Sequence, residues 1–393
     1  MGVFLRKEAL PGLKNYKYSS VDHSLLSKHV LGPFWRWFVT LFPLWLAPNL
    51  VTLIGFSFVV MNFITLLYFN PTLDQVCSPW VYVSYAVGLF LYQTFDACDG
   101  GQARRTGQSG PLGELFDHCV DAVNTSLGVL IFCAAANTGY GWPVFAAQFG
   151  TLCNFYFSTW EEYHTGTLFL SFFSGPVEGI IIVCGLFLTT AYFGPGFWNT
   201  SVLELLGVTD VPAFVESYRE LTVLNIYLII STVCLVFNIL TAAGNVIAAN
   251  HKNKIRARPA FTGVIPFLLF YVSLVIWASS SRYILHTYLL LPFTLTVGFS
   301  VALSVGRIIT AHVTSQKFPI TNPLMVYPTL AVIIQAVGVK CWDWDPLTTV
   351  TALVWTGFGL TMGVYSFFVA ELIIEITTYL DIYCLRIKHH KTQ

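Results

Sequence analysis

Charge is what this sequence has least of. Lys, Arg, Asp and Glu make up 10 % of its 393 residues, against about 25 % in an ordinary soluble domain. The 20 basic and 20 acidic side chains cancel, which leaves no field of one sign to hold nucleic acid, and disorder needs the opposite composition. The nine cysteines are scattered and never spaced as C-x-x-C. That excludes a disulfide framework and a cysteine zinc site and leaves small buried hydrophobes. Heptads, solenoid repeats and low-complexity tracts are missing. Met1 to Lys17 is polar and basic without an apolar run, which predicts no cleaved signal peptide. Only His389 and His390 adjoin among nine histidines, so desaturase-type histidine boxes are absent. The Glu-x-x-His at Glu161 to His164 has no second copy, as a di-iron carboxylate bundle requires.

Apolar length is what the sequence has instead, with 55 % hydrophobic and 16 % aromatic residues. A run of about 20 apolar residues crosses a bilayer as a helix. Ten such stretches have approximate limits 47–69, 80–96, 119–138, 142–160, 176–194, 223–249, 261–280, 284–312, 323–341 and 347–376. The fold class expected is an all-α integral membrane protein of about ten transmembrane helices. Ahead of them, Leu25 to Pro43 mixes Lys28 and Arg36 with Phe34, Trp35, Trp37, Phe38 and Leu41, the pattern of an amphipathic helix lying in the headgroup plane. Ten spans place both termini on one side. Counting Lys and Arg puts 17 on that side and three, Arg219, Arg282 and Lys340, on the other, so both termini and the loop after span 2 are expected in the cytosol. The longest connection, Gly194 to Leu221, carries Glu204, Asp210, Glu216 and Glu220 and reads as a non-catalytic cap on the far side. Three regions follow: a cytosolic N-terminus with the interfacial helix (1–46), a core of spans 1–5 (47–194), and spans 6–10 with a basic tail (195–393). In span 6, Asn238, Asn245 and Ala242-Ala243-Gly244 suit helix packing, including a homodimer contact.

The ionisable side chains gather in one place. Asp96, Asp99, Arg104 and Arg105 close span 2, and Glu114, Asp117, His118 and Asp121 open span 3. Charges at membrane depth are costly and mark function by default. On helices, Asp96 and Asp99 share a face, as do Asp117 and Asp121, so two facing helices would bring four carboxylates together. Like charges that close cannot all ionise without a cation, and hard oxygen ligands select magnesium, manganese or calcium. Two divalent ions are therefore expected. Gly100 and Gly101 let the backbone approach a ligand, and Arg104 offers a fork of donors that fits phosphate oxygens. Carboxylates holding metals beside an arginine describe a diphosphate site. Any one of these aspartates alone is equally well a solvated loop residue or a helix cap; the complete spacing carries the reading.

The pattern D-x-x-D-G-x-x-A-R, eight residues, G-x-x-x-D-x-x-x-D is met at Asp96, Asp99, Gly100, Ala103, Arg104, Gly113, Asp117 and Asp121, and it resembles the signature of the CDP-alcohol phosphotransferases. Pro48-Asn49-Leu50-Val51-Thr52, Trp160-Glu161-Glu162-Tyr163-His164 and Gly175-Pro176-Val177-Glu178-Gly179, together with the ten-span plan, look like the eukaryotic choline and ethanolamine phosphotransferase branch. The resemblance implies transfer of phosphocholine, phosphoethanolamine or both from CDP-choline or CDP-ethanolamine to the 3-hydroxyl of diacylglycerol. The products are phosphatidylcholine or phosphatidylethanolamine and CMP. It places the protein in the endoplasmic reticulum or Golgi membrane with its site facing the cytosol. It also implies two Mg2+ ions, replaceable by Mn2+, held by Asp96, Asp99, Asp117 and Asp121. Gly100 and Ala103 then leave room for the nucleotide, Arg104 contacts phosphate, and Asn49 and Glu114 are further CDP-alcohol contacts.

Two residues compete to take the proton from the lipid hydroxyl. In much of the family the fourth aspartate, here Asp121, has that role. A carboxylate that ligates a metal is a weak base, however, whereas His118 adjoins Asp117 and histidine ordinarily titrates near neutrality. His118 is the preferred base, Asp121 the runner-up, and an orienting role for His118 the third reading. Trp160, Glu162 and Tyr163 are candidates to cage a quaternary ammonium, and an interfacial aromatic belt fits them equally. Glu178 and Arg307 read as structural or snorkelling. A lipid transporter or flippase is the alternative from another class, but it would show paired inverted repeats and acids near the midplane, whereas the acids here cluster at one mouth. An ethanolamine-only phosphotransferase is a further alternative.

Overall fold

The structure, a computed structural model, describes residues 2–22, 24–170, 176–207, 220–254, 256 and 258–389. Ten long helices carry it: α1 Pro48–Phe69, α2 Pro79–Thr106, α3 Pro111–Ala135, α4 Trp142–Thr165, α5 Pro176–Phe193, α6 Val223–Lys252, α7 Ile265–Ser280, α8 Leu290–Val313, α9 Tyr327–Cys341 and α10 Pro346–Leu380. Proline opens α1, α2, α3 and α10, where its missing N–H forfeits no helical hydrogen bond and its fixed φ suits the first turn. Each of the ten expected stretches falls on one of these helices. Among the described residues, seven stretches are able to cross a membrane by length and apolar composition alone: α1, α3, α6, α8, α10, and α7 and α9 together with the short turns before them. Gly175, Asp210, Glu216, Arg219, His390 and Lys391, used in the sequence reading, lie outside the described residues.

Helix limits differ from the apolar stretches where the motif begins. α2 does not stop at 96 but runs to Thr106, and α3 starts at Pro111 instead of 119. Polar side chains end an apolar stretch without ending a helix, because the backbone groups remain satisfied internally. What ends α2 is Gly107, at φ 73°, whose N–H reaches the carbonyl of Ala103. Only glycine adopts that left-handed cap readily. The chain then reverses within a few residues, so the last turns of α2 face the first turns of α3.

α3 and α8 form the buried centre. At Gly298 of α8 a Cβ would lie 2.2 Å from Ser126 Oγ of α3, and at Gly306 one would lie 2.6 Å from Phe368 of α10, so small residues let these helices close. α6 is peripheral and tied to α4 by Asn238 donating to Asn154 (2.9 Å) and Asn245 donating to Glu161 (2.6 Å). The two asparagines thus pack helices, as expected. Gly244 of α6 has nothing within 4 Å of its Cβ position, so the small-residue run makes no close approach inside the chain at that point.

The N-terminal segment departs from a simple bundle. The stretch expected as one amphipathic helix is a π turn at Ser27–Leu31, an α-helix at Gly32–Phe38 and a 3-10 turn at Val39–Leu41. Val39, Phe42 and Leu46 pack on Val51 and Cys98, while Trp37, Leu41, Leu44 and Trp45 are exposed. The all-α expectation needs one correction, a parallel pair in which β1 (Ser20–Asp22) lies beside β2 (Leu168–Leu170) with Ser20 opposite Leu168. Three-residue strands are too short for period-2 alternation to register in the sequence. Leu5, Leu10 and Leu13 bury against Leu112, Leu115, Val313 and Leu372. Glu371 of α10 accepts the backbone N–H groups of Val3 (3.0 Å), Phe4 (2.7 Å) and Leu5 (2.8 Å).

Candidate active site

The turn at Gly107 brings three of the four aspartates, Asp96, Asp99 and Asp117, into one volume. A carboxylate oxygen from each of Asp96, Asp99 and Asp117 lies within 4.8 Å of the others. Thr52 of α1 donates to Asp99, and Tyr92, one turn before Asp96, donates to Asp121. Oδ1 of Asp96 and Oδ1 of Asp117 are buried without a hydrogen-bond partner. Among the described residues no Lys or Arg pairs with these acids. Two charges 4.8 Å apart repel by about 3.5 kcal/mol at an effective dielectric constant of about 20. Three such pairs come to about 10 kcal/mol, comparable with the whole net stability of a typical domain. Orphaned buried oxygens, all hard donors, fit divalent cations such as magnesium or manganese.

The neighbouring residues fall into three groups. Gly100 leaves space in front of Arg104, whose Nη1 is 3.6 Å from where a Gly100 Cβ would stand, whereas Gly101 is a packing glycine with Val39 3.3 Å from its Cβ position. Arg104 is exposed and Ala103 half-buried. Asn49 is buried with its Oδ1 near Gly113 and its Nδ2 3.7 Å from Cys384 Sγ. His118 places Nδ1 2.9 Å from the carbonyl oxygen of Glu114. A carbonyl only accepts, so Nδ1 carries a hydrogen, and in the neutral ring Nε2 carries the lone pair. That Nε2 lies 3.7 Å from Glu162 Oε2.

Trp160 and Tyr163 do not join this site. Trp160 is fully buried and donates its indole N–H to Ala260, and Tyr163 donates its hydroxyl to Gln316. Glu162 alone of the three faces His118, since helix residues one or two apart point in different directions. Thr52, Tyr92 and Tyr18 are site residues to which the sequence reading gave no role. Tyr92 stands four residues before Asp96, a same-face spacing that could have found it. Tyr18, in the segment before β1, has its hydroxyl pushed above its ordinary range, first by burial of that end of a half-exposed ring and then by Glu162, Asp117 and Asp99. Tyr18 therefore lies within electrostatic reach of the acidic cluster. Glu178 holds the N-terminal segment, accepting from Ser24 and, at 3.5 Å, from the Leu26 N–H.

Residues 45–166, from just before α1 to the end of α4, match the family described as CDP-alcohol phosphatidyltransferase. The chain is 44 % identical to cholinephosphotransferase 1 of Saccharomyces cerevisiae over 402 aligned residues, covering 100 % of both chains. The chain belongs to the CDP-alcohol phosphatidyltransferase family. It is also 44 % identical, over 100 % of both chains, to choline/ethanolaminephosphotransferase 1 of the same yeast, and 34 % identical, over 98 % of both, to choline/ethanolaminephosphotransferase 2 of Arabidopsis thaliana. The matched segment contains every aspartate of the cluster.

Proposed function

We propose that this membrane protein transfers phosphocholine, phosphoethanolamine or both from the CDP-alcohol to diacylglycerol, releasing CMP. The observation that carries this reading is the convergence of Asp96, Asp99 and Asp117, with orphaned oxygens, in a chain 44 % identical over its full length to a cholinephosphotransferase. Two Mg2+ ions, or Mn2+ in their place, would supply the positive charge that neutralises the diphosphate and the leaving oxygen. Asp96, Asp99 and Asp117 hold them, joined by Asp121. Thr52 and Tyr92 fix the rotamers of Asp99 and Asp121. Gly100 gives the nucleotide room beside Arg104, whose planar fork contacts its phosphate, and Asn49 lines the same end. The lone pair on His118 Nε2 receives the proton of the attacking hydroxyl, while the bond from Nδ1 to the Glu114 carbonyl holds the ring in place.

The ten helices then span the endoplasmic reticulum or Golgi membrane with both termini and the aspartates at the cytosolic face, where CDP-alcohols dissolve. Residues 47–194 are the catalytic core, residues 25–43 rest at the interface, and the bare outer face of α6 meets lipid or a second copy. The test is CMP release from CDP-choline and from CDP-ethanolamine by purified protein in detergent with diacylglycerol and Mg2+. Release with at least one donor, abolished by EDTA, is expected. Silence with both donors from folded protein would favour a transporter.

A further inference from the structure

A second cluster stands apart from the four aspartates. One ligand atom each from Glu114 (α3), Glu162 (α4) and His312 (α8) lies within 4.8 Å of the others. Glu114 and Glu162 are 9 % and 2 % exposed, and both carboxylate oxygens of Glu114 and Oε2 of Glu162 are buried without any hydrogen-bond partner. Buried carboxylates left so are neutralised either by protons or by a bound cation. His118 Nε2, 3.7 Å from Glu162 Oε2, stands beside the cluster and is not one of its three grouped donors.

The spacing limits what that cation is. Three atoms no more than 4.8 Å apart share a point within about 2.8 Å of all of them (4.8 Å divided by √3). A trimethylammonium is too wide for that point, because each methyl carbon alone needs about 3.5 Å. A primary ammonium fits by distance, but its single charge leaves one carboxylate uncompensated. A divalent ion balances both carboxylates, and two carboxylates with an imidazole form a donor set for manganese or zinc, at about 2.0–2.2 Å after a small inward movement. We propose that Glu114, Glu162 and His312 form a third divalent-metal site, mixed nitrogen and oxygen in character, separate from the all-oxygen aspartate site.

Mn2+ titrated into the purified, chelator-stripped full-length protein tests this by pulsed electron paramagnetic resonance, since only an imidazole-ligated ion shows nitrogen hyperfine coupling. Wild type, Asp117→Asn and His118→Ala should all show the coupling. His312→Ala should lose it and bind one Mn2+ fewer per chain, and Glu162→Gln should also bind one fewer. Should His312→Ala not fold by circular dichroism, His312→Gln keeps the volume and should give the same loss. Absence of nitrogen coupling in wild type, or its persistence in folded His312 variants, overturns the site. Displacement of the ion by ethanolamine alone would hand the cluster to a primary ammonium. The catalytic reading can fail without touching this result, because Asp117→Asn removes turnover while leaving the nitrogen-coupled ion.

Discussion

Asp117 contributes a buried, partnerless oxygen and little packing, so its charge matters more than its shape. Asp96→Asn, Asp99→Asn and Asp117→Asn should each abolish CMP release and leave the chelator-treated melting temperature unchanged or raised, because each removes like-charge repulsion. Full turnover by any of them in EDTA would sink the two-metal site. His118→Ala should lower kcat by about 10²–10⁴, the range for loss of a general base, with metal and CDP-alcohol affinities unchanged. Asp121→Ala should weaken metal dependence as well. Near-normal kcat in His118→Ala would transfer the role to Asp121. The aspartates were legible in sequence because i, i+3 and i, i+4 spacings fix a shared face. Trp160 and Tyr163 point away from His118 because adjacency along a helix is not adjacency in space, and His312 was invisible because only tertiary packing brings α8 to α3.

Among elements, α3 and α8 approach closely at Ser126 and Gly298. Gly298→Val should force them apart at about 1–3 kcal/mol, the usual cost of overpacking, lowering the melting temperature by several degrees. Gly244→Ala, with nothing within 4 Å, should melt within error of wild type or slightly above it, since alanine is the better helix former. Thermal unfolding in detergent followed by circular dichroism compares them, and equal melting points would refute the close contact. Apolar length located all ten helices, yet it misjudged where α2 and α3 meet. Their shared end is set by Gly107 and Pro111, and backbone geometry outranks hydropathy there.

For the molecule as a whole, the prediction concerns the side of the bilayer that the aspartates face. The bias of Lys and Arg predicts the cytosol. Ser109→Cys, an exposed position in the turn after α2, built in a background without Cys77, Cys234, Cys341 and Cys384, the cysteines that are not buried, should react with an impermeant maleimide in sealed cytosol-side-out vesicles. Labelling only after permeabilisation would invert the topology. Span count and orientation can be argued from composition, whereas the docking of the first residues onto the last helix cannot, since no periodicity links positions more than 360 apart in sequence.

That docking has a consequence in time. Val3, Phe4 and Leu5 find their acceptor only when Glu371 of α10 exists, 366 to 368 residues later. At a synthesis rate of about 5–20 residues per second, the N-terminal segment waits roughly 20–70 s for its partner. Until then the segment is held only farther along, by the pairing of Ser20–Asp22 with Leu168–Leu170 and by Glu178, so its first residues dock in one of the last folding events.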